Sequence, residues 1–185
     1  ILTFNVTGIS DVIRTVCWSD IRERFTTYYS YTADFYSKIN NSFISFKDGN
    51  LFLHNSGGDN DYNLFHDDAR SDSKIEVVSN FNPSMVKLWE DNSVESNNLW
   101  ILNSCENEQG QLSSNIAEDY ADREGIYYAS IFRDSLTPNV SNPIFQGDEM
   151  RSNYLHSKWV YSGETKTALR YINIGYFVSS GHDNF

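Results

Sequence analysis

The stretch Ser42-Phe43-Ile44-Ser45-Phe46-Lys47-Asp48-Gly49-Asn50-Leu51-Phe52-Leu53-His54 decides how this chain folds. Two short runs of Phe, Ile and Leu flank Asp48-Gly49. Asp-Gly takes the positive backbone φ values of a tight hairpin turn at little steric cost. The stretch predicts a strand over 42–46, a turn over 47–50 and a return strand over 51–54. Phe43, Phe46, Asp48, Gly49, Leu51 and Phe52 are its structural residues.

The same grammar continues outward. Leu2, Phe4 and Val6 alternate as in a strand. Residues 11–24 carry both a partly helical spacing (Val12, Ile13, Val16, Cys17, Ile21) and a strand-like composition, so that segment stays open. Residues 25–36 are dense in aromatics. Further strands are predicted over 74–80, 85–89, 99–102, 125–132, 154–161 and 168–179, separated by turns and loops rich in Gly, Asn, Asp and Pro. The expectation is an all-β protein of antiparallel sheets: a propeller-like portion over 1–102, a linker or acidic loop over 103–122, and a small sandwich or barrel-like unit over 123–185. A weak helical stretch is expected to begin at Ala117.

Composition bounds the function. The chain has 185 residues, enough for a core without covalent staples. Twelve Tyr and twelve Phe suit strands and subunit interfaces and exclude a disordered chain. The net charge of -11 argues against binding a phosphate backbone. Arg14, Arg22 and Arg24 alternate with Asp11, Asp20 and Glu23, a solvated face of mixed charge. No apolar run approaches the roughly 18–20 residues that span a bilayer, so no membrane insertion is expected. Opening at Ile1 within a strand pattern, the chain is expected to be part of a longer protein or a processed product. Cys17 and Cys105 stand among apolar neighbours and are expected as buried free thiols rather than a bridge.

Candidate chemistry is sparse. His54 and His66 flank an acidic loop with Asp59, Asp61, Asp67 and Asp68. The calcium-loop template begun at Asp59 fits at Asp61 and Asn63 but fails at Leu64, where Gly is required, and at Arg70, where Glu is required. With 25 carboxylates, chance pairs abound and none is nominated as acid and base. No nucleophile elbow or phosphate-cradling Gly loop occurs. Three glycosylation sequons, at Asn5, Asn40 and Asn139, are discounted in so Asn- and Ser-rich a chain. Tyr28, Tyr29, Tyr31, Tyr36, Trp89 and Trp100 read as core or interface residues, with a sugar-stacking platform as the alternative. No enzyme, cofactor or metal is expected.

Three stretches together resemble a known family. They are 28–35 with the hairpin through Asn55; 74–80 with Lys87 and Trp89; and 128–134 with Gly147-Asp148-Glu149-Met150-Arg151-Ser152 and the closing strand 171–179. Their order resembles the tail stabilisation or muzzle (nozzle) proteins of crAss-like short-tailed bacteriophages, over about residues 18–180. Where that family continues with a Phe-Tyr-Gly step, this chain has Leu64-Phe65-His66-Asp67. The resemblance implies a virion structural protein of the distal tail. It would form a homo-oligomeric ring with other tail proteins and close or line the DNA ejection channel, with genomic DNA only as passing cargo. It implies no catalytic residues. Two other classes remain as alternatives: a carbohydrate-binding β-sandwich module of a phage receptor-binding or bacterial surface protein, using the aromatics and the loop 54–72, and a glycoside hydrolase fragment.

Overall fold

A computed structural model describes residues 2–6, 12–29, 31–55, 62–66, 70–138 and 141–179, without the side chains of 2–6, 12–14, 27 and 28. The chain is all-β, with antiparallel sheets and no barrel closure among the described residues. It divides into two compact units, residues 1–71 and 72–185.

Among the described residues, the first unit holds two three-stranded sheets. One comprises β1 (Leu2–Val6), β2 (Val12–Ser19) and β3 (Arg24–Tyr29). The segment left open over 11–24 is therefore largely strand: Val12 to Val16 pair with β1 and Thr15 to Ser19 with β3, and strand composition wins over spacing. The other sheet comprises β4 (Phe35–Ile39), β5 (Ser42–Lys47) and β6 (Asn50–Leu53). Lys47 pairs with Asn50, leaving Asp48 (φ 49°) and Gly49 (φ 79°) as the two turn residues. Positive φ at both positions is the turn whose twist matches a hairpin, as the Asp-Gly signal predicts. The Asp34 carboxylate accepts the Asp48 N–H at 3.0 Å and fixes the turn to the start of β4.

The second unit is a two-sheet sandwich. One sheet runs in the order β10 (Leu112–Ser113), β9 (Ile101–Asn107), β14 (Leu155–Tyr161), β7 (Ser73–Ser79). The other is built on β8 (Lys87–Ser96), which pairs along its length with β15 (Leu169–Val178). Its other edge is shared by β12 (Ile126–Ser130), itself paired with β11 (Ala121–Arg123), and by β13 (Arg151–Ser152). Trp89 and Val94 of β8, Leu102 and Cys105 of β9, Leu155 and Trp159 of β14, and Ile174 of β15 form one core between the sheets. Truncating either fully buried Trp to Ala would cost roughly 3–5 kcal/mol.

The stretch 103–122 lies within the second unit. That polar stretch carries the end of β9, then β10 and β11, inside the sandwich, with a single 3-10 turn, Ala117–Asp119, where a weak helix was expected. Its polarity has a local cause. Asn107 Oδ1 accepts the N–H groups of Gln109 and Gln111, and Asn115 donates to the Ser130 carbonyl, so side chains satisfy the backbone of a tight crossover.

Candidate functional site

Three places gather polar or apolar groups beyond what simple packing requires. The first lies in the hairpin sheet. In antiparallel strands directly opposed residues share a face, and here both faces are apolar. On one, Ser45 is fully buried and its Oγ lies 2.7 Å from His54 Nε2 and 2.8 Å from His66 Nε2. A hydroxyl has one proton to donate and two lone pairs to accept, so at least one of the two rings donates its Nε2–H to Ser45. Aromatic rings wall the group: Tyr31 stacks on Phe65 at 4.4 Å, Phe43 packs on His54 at 4.7 Å, and Phe52 on His66 at 4.9 Å. Burial, and then the neighbouring His66, push the His54 pKa below its ordinary value. The structure thus brings the two sequence-flagged histidines together on a serine that sequence reading missed. Each ring spends its Nε2 on Ser45, and no group of three or more His, Cys, Asp or Glu able to hold a metal occurs among the described residues. The aspartates of the loop, Asp59, Asp61, Asp67 and Asp68, lie outside the described residues.

The opposite face of the same sheet aligns Phe35 with Phe46 and Leu51, and Ile44 with Leu53, with Ile39 beyond them. Ile44 is buried at the centre. Around it Phe35 (61%), Leu51 (57%), Ile39 (54%) and Leu53 (48%) stand exposed. The hairpin residues therefore split: Phe43 and Phe52 turn toward the histidine cluster, Phe46 and Leu51 toward the open face, and Asp48-Gly49 make the turn.

The third place is an open cleft of about 560 Å3 on the sandwich, lined by Val86, Gln109, Gln111, Arg133, Gly147, Asp148, Glu149 and Arg151. Glu149 is its hub. Its Oε1 accepts from Arg133 at 3.3 Å, and its Oε2 accepts from Arg151 Nε at 3.0 Å and from Arg151 Nη2. Hydrogen bonding from Arg151, helped by both guanidinium charges, holds the Glu149 carboxyl below its ordinary pKa against the opposing effect of burial.

No protein-family model matches this chain, and no curated protein matches it.

The remaining flagged residues have structural places. Trp89 and Trp100 are buried in the sandwich core, so their faces are closed to a sugar. Tyr31 is buried in the first unit; the side chain of Tyr28 lies outside the described residues. Both cysteines are free thiols. Cys105 is buried, its pKa pushed up to about 12 by that burial, and Cys17 is half-buried, more open than its apolar neighbours suggested.

Proposed function

We propose that this chain is an assembly module, a structural part of the distal tail nozzle of a short-tailed bacteriophage, packing against further copies of itself and neighbouring tail proteins. The observation that supports the reading is the apolar face of β4–β5–β6. Four large apolar side chains, Phe35, Ile39, Leu51 and Leu53, ring a buried Ile44 on a hydrogen-bonded sheet. Such a contiguous exposed face is characteristic of interaction surfaces, and a rigid strand backbone presents it at little entropic cost. The resemblance over residues 18–180 supplies the setting, and the net charge of -11 keeps a surface beside a DNA conduit from holding passing phosphates.

Two measurements test this. Light scattering on the full chain is expected to show a concentration-dependent oligomer that F35S/L51S reduces to the monomer. A wild-type chain monomeric at every accessible concentration overturns the assembly reading. Antibody raised to the chain, imaged by electron microscopy on phage particles from gut Bacteroides cultures, is expected at the tail tip. Label on bacterial surfaces with bare particles overturns the tail setting.

A further inference from the structure

The cleft on the sandwich is more constrained than an accidental groove. One wall is the tip of the β9–β10 hairpin. There Asn107 Nδ2 donates to Gln111 Oε1 at 2.6 Å and to the Arg151 carbonyl at 3.2 Å, and the Arg151 N–H donates to Gln111 Oε1 at 3.1 Å. Gln111 Nε2 donates onward to the Glu149 carbonyl at 3.1 Å. The other wall is formed by residues 133–138 and 141–148. Asp134 anchors it, accepting the N–H groups of Leu112 and Leu136 and the Thr137 hydroxyl, while its own N–H donates to the Asp148 carbonyl. The Asp148 N–H closes the loop on Thr137 Oγ1 at 3.1 Å. Both walls are cross-linked before any ligand arrives, and such preorganisation makes a site effective.

The chemistry left over is specific. Glu149, Gly147 and Ser179 take two N–H groups of Arg133 and three of Arg151. A guanidinium has five donors, so three remain on Arg133 and two on Arg151. The Asp148 carboxylate and the Gln109 amide supply acceptors, and Gln109 further donors. Two cations against two carboxylates leave the cleft without net charge. Spare donors and acceptors side by side at charge balance match groups that both give and take hydrogen bonds, and the flank of Val86 matches the C–H face of a ring. The volume lies within the ~300–1,000 Å3 of small-molecule sites.

We infer that this cleft binds a neutral saccharide, its hydroxyls spanning the Arg133–Glu149–Arg151 cluster between Gln109 and Asp148. The inference is independent of the assembly reading and concerns residues far from the loop 54–72 to which the sequence pointed for sugar binding. Glu149, paired with two guanidiniums, is not suited to giving a proton to a leaving group, so the inference is of binding alone.

The test is an amide NMR titration of the full chain with maltotriose, cellotriose, mannotriose and chitotriose, with 3′-sialyllactose as the anionic comparison. At least one neutral trisaccharide is expected to shift the amides of Gln109, Gln111 and Gly147 to Arg151, with an affinity unchanged by added salt. Q109A and D148N alter side chains that carry none of the wall's cross-links, and each is expected to weaken binding about five- to tenfold while leaving all other amides in place. No shift with any neutral sugar overturns the inference. So does binding confined to the sialylated sugar and abolished by salt, or shifts that map elsewhere. Light scattering on the same samples reads the assembly state separately, so the two readings fail independently.

Discussion

Lys87 is the residue whose removal tests the reasoning most sharply. It is completely buried, yet its ammonium is fully satisfied: Nζ donates to the carbonyls of Asn82 (3.2 Å), Met85 (3.1 Å) and Asn153, and lies 5.7 Å from the ring centres of both Trp89 and Tyr176. Three donors meet three acceptors. Burial lowers its pKa, with Glu108 opposing. K87A removes three charge-assisted bonds worth ~1.5–3 kcal/mol each and strands the carbonyls, but it recovers the several kcal/mol spent desolvating the ammonium. The expected net loss is about 3 kcal/mol, a fall of roughly 10 °C in Tm for a unit of this size. The truncation vacates the volume of a propylammonium ion, three carbons and the nitrogen. Propylammonium chloride is therefore expected to restore much of the loss in a thermal melt, and tetramethylammonium, which has no N–H, is not. A K87A melt within about 0.5 kcal/mol of wild type, or equal rescue by both cations, would refute the carbonyl-cage account. The stake reaches the surface, because the same cage fixes the loop that displays Phe81 and Met85 to solvent.

Other perturbations follow from the same structure. His54 has a folded-state pKa below the unfolded value of about 6.5, so its contribution is intact above that pH and declines as pH falls toward the folded pKa; the protection factors of the β4–β6 amides, exchange rates divided into the intrinsic rate at each pH, should fall from pH 7.5 to 5.5, and H54N should flatten that dependence. Burial raises the Asp134 pKa, but hydrogen bonds from Leu112, Leu136 and Thr137 bring it below the ordinary value. Its contribution is therefore present above the unfolded pKa and lost as pH falls through the folded one, and D134A should cost about 2 kcal/mol in chemical denaturation at neutral pH. A thiol reagent at neutral pH should label Cys17 in the native protein and Cys105 only after unfolding, since Cys105 is buried and its pKa is pushed up to about 12. G49A places a Cβ at φ 79° in otherwise open space, so conformational strain alone should cost about 1 kcal/mol, seen as a lower midpoint with an unchanged denaturant slope.

The hairpin at 42–54 was legible because its signal is local: alternating apolar residues and two positions with positive φ are properties of adjacent residues. The same holds for the strands at 125–132 and 154–161, where β12 and β14 fall within the expected ranges. β8 was only half legible. Its apolar start, Leu88 and Trp89, reads as strand, but Glu90-Asp91-Asn92-Ser93 looks like a loop. Asn92 is nonetheless fully buried; its Nδ2 donates to Asn115 Oδ1 at 3.0 Å, twenty-three residues away, while its Oδ1 has no hydrogen-bond partner among the described residues. The partner that half-satisfies it is distant, and no window of sequence contains that partner. Lys87 is the extreme case, a charge that composition assigns to solvent and three carbonyls draw inside.

The same distinction separates the candidate sites. The apolar face of the hairpin sheet could be foreseen in kind, since Phe35, Phe46, Leu51 and Leu53 fall on strands with apolar residues at both parities, a pattern expected of a strand covered on both sides. The histidine cluster was half foreseen, through His54 and His66 but not Ser45, whose role exists only when two loops converge on one strand. The cleft was not foreseen at all. Its residues come from four separated segments around 86, 109–111, 133 and 147–151, individually ordinary, and only the register of β13 on β8 and the Asn107–Gln111–Arg151 bonds set them side by side. Gly147 to Ser152 drew notice through a family resemblance that assigns these residues no chemistry. In this fold Gly147, Asp148, Glu149 and Arg151 line the cleft, and a cleft made by register rather than by motif is invisible until the strands are paired.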